Sequence, residues 1–171
     1  MKNILVVIDM QNDFIDGSLG TKEAVGIIDN VVDVINKDYS YVFATLDTHG
    51  DDYFSTLEGE KLPVKHCIKG SEGWKINAVI QKALESKKVE YVEKPTFGSI
   101  TLAQKITSLN PDKITICGLC TDICVISNAL LLRAYNPNVV IEVIEKACAG
   151  VTVESHDAAI SSMKSCQIDI L

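Results

Sequence analysis

The sequence predicts an α/β fold, a three-layer sandwich with helices on both sides of a mainly parallel six-stranded sheet. Short runs of β-branched residues recur along the chain, and segments with apolar residues at helical spacing lie between them. Composition agrees: 171 residues, 47% hydrophobic and 23% charged, suit one domain spanning 1–171 with a sizeable core.

The elements follow in order. Ile4-Leu5-Val6-Val7-Ile8 reads as a buried strand ending at Asp9. Residues 22–37 place Ala24, Ile28, Val31 and Ile35 on one helical face, with Val25 and Val32 beside them. Tyr41 to Leu46 is a second strand, ending at Asp47, and residues 75–86 form a helix. Val89 to Glu93 is a third strand, ending at Lys94-Pro95, and Ile100 to Leu109 is a helix. Lys113 to Cys117 is a fourth strand, ending at Gly118 before an apolar helix over 122–135. Val139 to Ile144, a helix over 154–165 and a last strand at Gln167-Ile168-Asp169-Ile170 complete the chain. The one long irregular stretch, 47–73, carries two of the three histidines, which marks it as functional.

Several classes are disfavoured. Lys plus Arg is 16 against 23 for Asp plus Glu, a formal charge of -7 with no basic cluster, so neither nucleic acid nor an anionic membrane is an expected partner. No apolar run approaches the roughly 20 residues of a membrane span. The apolar run after Met1-Lys2-Asn3 is too short for a signal peptide, so the expected location is cytoplasmic. The six cysteines (Cys67, Cys117, Cys120, Cys124, Cys148 and Cys166) then read as reduced thiols rather than a disulfide framework.

In a parallel sheet, ligands bind at the carboxyl ends of the strands. Asp9, Asp47 with His49, Lys94, and the Gly118-to-Cys124 segment therefore converge on one rim. Cys124 falls in the first turn of a helix, where free amides favour a thiolate and can hold an oxyanion. A small buried core residue is the alternative reading. An Asp at a neighbouring strand end would serve such a nucleophile as base, and a Lys at a third would hold both by charge. Asp47-x-His49 with His66 has the donor types of a zinc, iron or manganese site, and Glu58 is a further candidate ligand; a solvated polar loop is the alternative. Phe14, beside the presumed pocket, could stack on a flat substrate. His156 reads as structural, and Gly70 and Gly73, with no Walker lysine after them, as turn residues.

Four segments carry a resemblance: Asp9-Met10-Gln11-Asn12-Asp13-Phe14; Asp47-Thr48-His49 with His66-Cys67-Ile68-Lys69-Gly70; Lys94-Pro95-Thr96-Phe97-Gly98-Ser99; and Gly118-Leu119-Cys120-Thr121-Asp122-Ile123-Cys124-Val125. In their order and spacing the sequence resembles the isochorismatase-like cysteine hydrolases, and within them the nicotinamidases or pyrazinamidases. The resemblance implies a Rossmann-like topology and a catalytic triad of Asp9, Lys94 and Cys124. It implies one divalent metal, zinc first and iron or manganese next, on Asp47, His49 and His66. It implies a cis bond at Leu119-Cys120, which turns the Cys120 amide to the substrate, so that the amides of Cys120 and Cys124 form the oxyanion hole. The implied substrate is a small amide, nicotinamide, with Phe14 on its ring and the product nicotinate formed through a thioester on Cys124. A homo-oligomer fits the same resemblance.

Two departures bear on the substrate. The family often has an aromatic before the metal histidine, where this chain has Leu62-Pro63-Val64-Lys65, and often Ser-Ala-Phe after the lysine, where it has Phe97-Gly98-Ser99. The rival readings are an amidase for a carbamoyl or ureido compound, isochorismatase itself, and a non-catalytic binding or signalling module. The vinyl-ether chemistry of isochorismatase uses no cysteine nucleophile. A receiver-type module needs an Asp where this chain has Lys94.

Overall fold

A computed structural model describes all 171 residues. Six strands, β1 (Asn3–Ile8), β2 (Tyr41–Asp47), β3 (Val89–Lys94), β4 (Lys113–Leu119), β5 (Val140–Ala149) and β6 (Asp169–Ile170), form one sheet in the order β3-β2-β1-β4-β5-β6. Every neighbouring pair is parallel, as the alternation predicts. Ile4 to Ile8 of β1 are buried throughout, which is why that strand reads as an unbroken apolar run.

The chain runs outward from β1 to β3, then returns to lay β4 against the other side of β1. Right-handed crossovers therefore put the helices of the two halves on opposite faces. On one face α2 (Lys22–Gly26) and α3 (Ile28–Ile35) pack together, and α3 meets α5 (Ala78–Leu84). On the other, α7 (Ile126–Tyr135) packs between α6 (Ile100–Ser108) and α8 (Val153–Ser165). The reversal at β1 and β4 opens a crevice beyond their carboxyl ends.

Three elements differ from expectation. The helix foreseen over 22–37 is two helices that meet at Ile27, just after Gly26, a poor helix former. β5 runs five residues past Ile144, because Cys148 and Ala149 still pair with Gly118 and Leu119 beyond the exposed Lys146. The long connection after β2 is not structureless: a 3-10 turn (Tyr53–Ser55) and α4 (Leu57–Lys61, N-capped by Thr56) fold inside it. A short α1 (Asn12–Ile15) also follows β1. Gly118 has φ +122°, and a Cβ there would lie 2.1 Å from the Ile8 carbonyl oxygen. Only glycine lets β4 pass β1 so closely at the rim.

Candidate active site

β1 ends at Ile8, and Asp9 turns out of the strand with φ 45°, a left-handed conformation that Asp tolerates better than most residues. The Asp9 amide donates to Thr45 Oγ1 (3.1 Å), and the Thr45 hydroxyl donates to Asp9 Oδ1 (2.6 Å). Asp9 Oδ2 lies 2.6 Å from Lys94 Nζ but has no aligned hydrogen bond, so it keeps acceptor capacity. Register sets the next pair: Asp47, ending β2, lies opposite Lys94, ending β3, with Nζ 3.6 Å from Asp47 Oδ1. Lys94 Nζ also donates to the Thr96 carbonyl (3.1 Å) and sits 3.4 Å from Cys124 Sγ.

Cys124 is carried by a π-helical turn, Thr121–Val125, that runs straight into α7. The Leu119–Cys120 peptide bond is cis, as the resemblance implies. The Cys120 carbonyl accepts from the Ile123 and Val125 amides, while the Cys120 amide has no acceptor within the protein.

The electrostatics follow from burial. Asp9 and Lys94 are 0% and 1% exposed, and Cys124 is 5%. Burial raises the Asp9 carboxyl above its usual range against the pull of Lys94. Lys94 is held well above the ordinary lysine range, since Asp9, Cys124 and Asp47 outweigh its own desolvation. The helix-start argument had predicted an acidified Cys124. Instead burial, followed by the charge of Asp9, pushes the thiol well up, and Lys94 only partly opposes this. The thiol therefore rests neutral and needs a base to activate it.

The second cluster is Asp47, His49, Glu58 and His66, whose ligand atoms all lie within 4.8 Å of one another. Asp47 Oδ2 is 2.8 Å from His49 Nε2 and 3.5 Å from His66 Nε2, and Glu58 Oε1 is 3.7 and 3.6 Å from the same nitrogens. His66 Nδ1 faces the Val64 carbonyl at 2.9 Å, so in the neutral ring the proton sits there and Nε2, turned to the cluster, can take up a metal ion or a second proton. Burial opposes ionisation of Asp47, but hydrogen bonds from His49 and His66 and the charge of Lys94 outweigh it and hold the carboxyl well below the usual range. His66 is raised despite burial by its hydrogen bonds to Asp47 and Val64. Glu58 is raised by burial and by Asp47. Two imidazoles and two carboxylates at these separations fit a borderline divalent cation such as zinc, iron or manganese.

A cavity of about 50 Å³ joins the two clusters; Asp47, Glu58, His66, Cys120 and Cys124 line it, and Phe14, Leu19, Leu62, Phe97 and Ile123 form its apolar wall. A wider cleft of about 480 Å³ shares Glu58, Leu62, Phe97 and Ile123 with it. The Phe14 ring is 5.5 Å from the His66 ring, centroid to centroid. Thus both departures from the family pattern, Leu62 and Phe97, fall at the cavity.

The isochorismatase-domain family model matches residues 3–171. The chain belongs to the isochorismatase family. An isochorismatase-family protein of Bacillus subtilis, PncA, is 32% identical over 94% of this chain and 93% of its own length. The crystal structure of nicotinamidase/pyrazinamidase PncA from Bacillus subtilis matches at a TM-score of 0.85 and 30% identity, over 99% of each chain. The pyrazinamidase of Pyrococcus horikoshii, solved in complex with zinc, matches at a TM-score of 0.83 and 25% identity, over 100% of this chain and 99% of that one.

This isochorismatase-family site also uses residues that the sequence reading passed over. Thr45, which binds Asp9, lies two residues before Asp47 and so on the same face of β2, a signal that was there to read. Buried Gln11 donates from Nε2 to the Asp47 and Trp74 carbonyls (2.8 Å each) and accepts the Asp47 amide at Oε1 (2.8 Å). Asp13 Oδ2 accepts the Cys67 amide (2.8 Å) beside His66. Asn128, four residues after Cys124 on the same helical face, donates to the Cys124 and Phe97 carbonyls (2.8 and 3.0 Å). All six cysteines are free, and no helix is long and apolar enough to cross a membrane.

Proposed function

We propose that residues 1–171 act as one hydrolase domain, a metal-dependent cysteine amidohydrolase that converts nicotinamide to nicotinate and ammonia. The observation that carries it is the contact of Lys94 Nζ with both Asp9 Oδ2 (2.6 Å) and Cys124 Sγ (3.4 Å) beside a four-donor cluster.

Asp9 Oδ2 takes the thiol proton of Cys124, and the thiolate attacks the carboxamide carbon. The negative charge moves from one neighbour of Lys94 to the other, so the buried cluster keeps its net charge and Lys94 remains protonated. The amides of Cys120 and Cys124 hold the oxyanion. Protonated Asp9 then gives its proton to the amide nitrogen, ammonia leaves, and a thioester remains on Cys124. Asp9 next deprotonates a water that attacks the thioester. Collapse expels the thiolate, which recovers the proton from Asp9, and the acid departs, losing its remaining proton to solvent as nicotinate.

Phe14 packs against the ring face and excludes water from it. Asp47, His49, His66 and Glu58 would hold one divalent metal, zinc first. When bound it supplies a Lewis-acidic contact for the ring nitrogen. The zinc-bound pyrazinamidase relative supports that choice. A second substrate class, a carbamoyl or ureido amide without a ring nitrogen, would use the same Asp9, Lys94 and Cys124 but would not need the four-donor cluster.

The test is ammonia release from nicotinamide by purified protein, before and after a chelator. Activity should vanish with the metal and return with zinc, iron or manganese, and Cys124→Ala should lower kcat by at least about 10³-fold. No ammonia with any of these metals restored overturns nicotinamide as substrate and leaves the carbamoyl or ureido reading. Near-normal activity in Cys124→Ala overturns the nucleophile.

A further inference from the structure

The side of the Cys124-bearing turn that faces away from the cavity is held by a histidine that the chemistry above does not use. α8 has a fixed start: Thr152 caps it, and Thr152 and Ser155 form a reciprocal capping box. That sets the first turn, and His156 lies one residue beyond the box. Its Nδ1 is 2.8 Å from the hydroxyl of Thr121, the fully buried first residue of the π-helical turn. Asp122 Oδ1 accepts the Val151 amide at 3.0 Å, so two adjacent residues of the turn are tied to the entry of α8. Space for this is reserved: a Cβ on Gly150 would come within 2.8 Å of His156 Cβ. On its far side, His156 Nε2 is 3.9 Å from Glu145 Oε1 at the surface.

A π-turn is a short, rare departure from α-helical spacing, found mostly at functional sites. Here Val125 donates to the Cys120 carbonyl, five residues back, at 3.0 Å. The turn places Cys124 Sγ 3.4 Å from Lys94, whose own position is set elsewhere, by the pairing of β3 with β2 and by Asp9 Oδ2 at 2.6 Å from its Nζ.

We propose that His156 is a positioning residue: through the Thr121 hydroxyl it holds the π-turn in the register that keeps Cys124 between Asp9 and Lys94. It touches no reacting atom. The inference rests on Cys124 being the nucleophile.

The experiment compares two pairs of variants in the metal-loaded enzyme. His156→Leu and Thr121→Val each remove the hydrogen bond. His156→Asn puts an amide where Nδ1 stands, and Thr121→Ser keeps the hydroxyl. Rates are taken per folded molecule, with the folded fraction read from urea unfolding. The first pair should lose about tenfold to a hundredfold in kcat with KM within about twofold of wild type, because misplacing a reacting atom slows chemistry more than binding. Combining the two substitutions should cost little more than either alone. His156→Asn and Thr121→Ser should recover most of kcat. A His156→Leu enzyme that melts earlier but turns over at the wild-type rate per folded molecule overturns the inference and leaves a purely structural histidine. Should His156→Leu not fold, Thr121→Val decides by the same reading. Cys124→Ala run in parallel separates the two ideas: if it is inert, only the His156 bond is on trial. If it turns over, the nucleophile assignment fails, and this inference fails with it.

Discussion

The two clusters at the rim are built in opposite ways. Asp9 follows β1, Lys94 ends β3 with β2 between them, and Cys124 is on the turn after β4, so the ladders of the sheet set their separation. Of the second cluster only Asp47 belongs to a strand. His49, Glu58 and His66 ride on the connection after β2, tied down by the His49 amide to the Cys67 carbonyl (3.0 Å) and the Lys69 amide to the His49 carbonyl (2.9 Å). Their charges differ as well. The first cluster carries its own cation, Lys94, 2.6 Å from Asp9. The second has two carboxylates and only Lys94, 3.6 Å from Asp47, as a permanent positive charge. Such a group completes itself by taking up a proton or a metal ion.

Removing the internal cation breaks the comparison most severely. Lys94→Met leaves Asp9 without its charge partner in a dry site and takes a neighbour from Asp47. Loss of one partner of a buried pair costs about 3–5 kcal/mol. Urea unfolding should register that loss, together with absent turnover. A variant as stable as wild type would mean that water reaches Asp9.

A milder change touches the second cluster alone. Glu58→Gln keeps the shape and removes one of four donors' charges. Metal affinity, read by competition with a chromophoric chelator, should fall roughly tenfold to a hundredfold, as losses around metal sites typically do. Unchanged affinity would remove Glu58 from the ligand set and leave three.

The smallest effect is a change of slope with pH. In the metal-free protein the folded pKa of His66 lies above its ordinary value of about 6.5. Its stabilisation is whole below that value and is lost as pH rises through the folded pKa. Asp9 and Glu58, raised by burial, act in the same direction. Asp47 is held low, and its contribution disappears only in acid. Metal-free protein should therefore melt at a lower temperature at pH 8 than at pH 6.5. Metal-loaded protein should do the reverse, because the metal competes with protons for imidazole. Thermal scans of both forms check this, and equal slopes would sever the cluster from metal binding.

How much of this was legible follows the same division. The strands were readable because β1, β2 and β4 are buried on both faces and therefore spelled in apolar runs. Once the sheet was parallel, Asp9, Asp47 and Lys94 had to share a rim. Residues joined by loop hydrogen bonds were harder. Gln11 and Asp13 act through backbone groups more than thirty residues away, and no local pattern announces such partners. α4 was missed because five residues carry too little periodicity to register. The acidity of Cys124 was misread because helix position is a local property, whereas burial is set by the whole fold.

The completeness of the Asp9–Lys94–Cys124 group has a consequence for solution conditions. Mobile ions weaken electrostatic effects over a screening length of about 8 Å at physiological ionic strength, but only where they can enter. Lys94 and Asp9 have essentially no solvent contact, and the proton moves within a group of fixed total charge. The reaction centre is in effect electrically sealed, and added salt has nothing in it to shield. Turnover of a neutral amide should then be as fast in brine as in dilute buffer, for as long as the sheet around it stays folded.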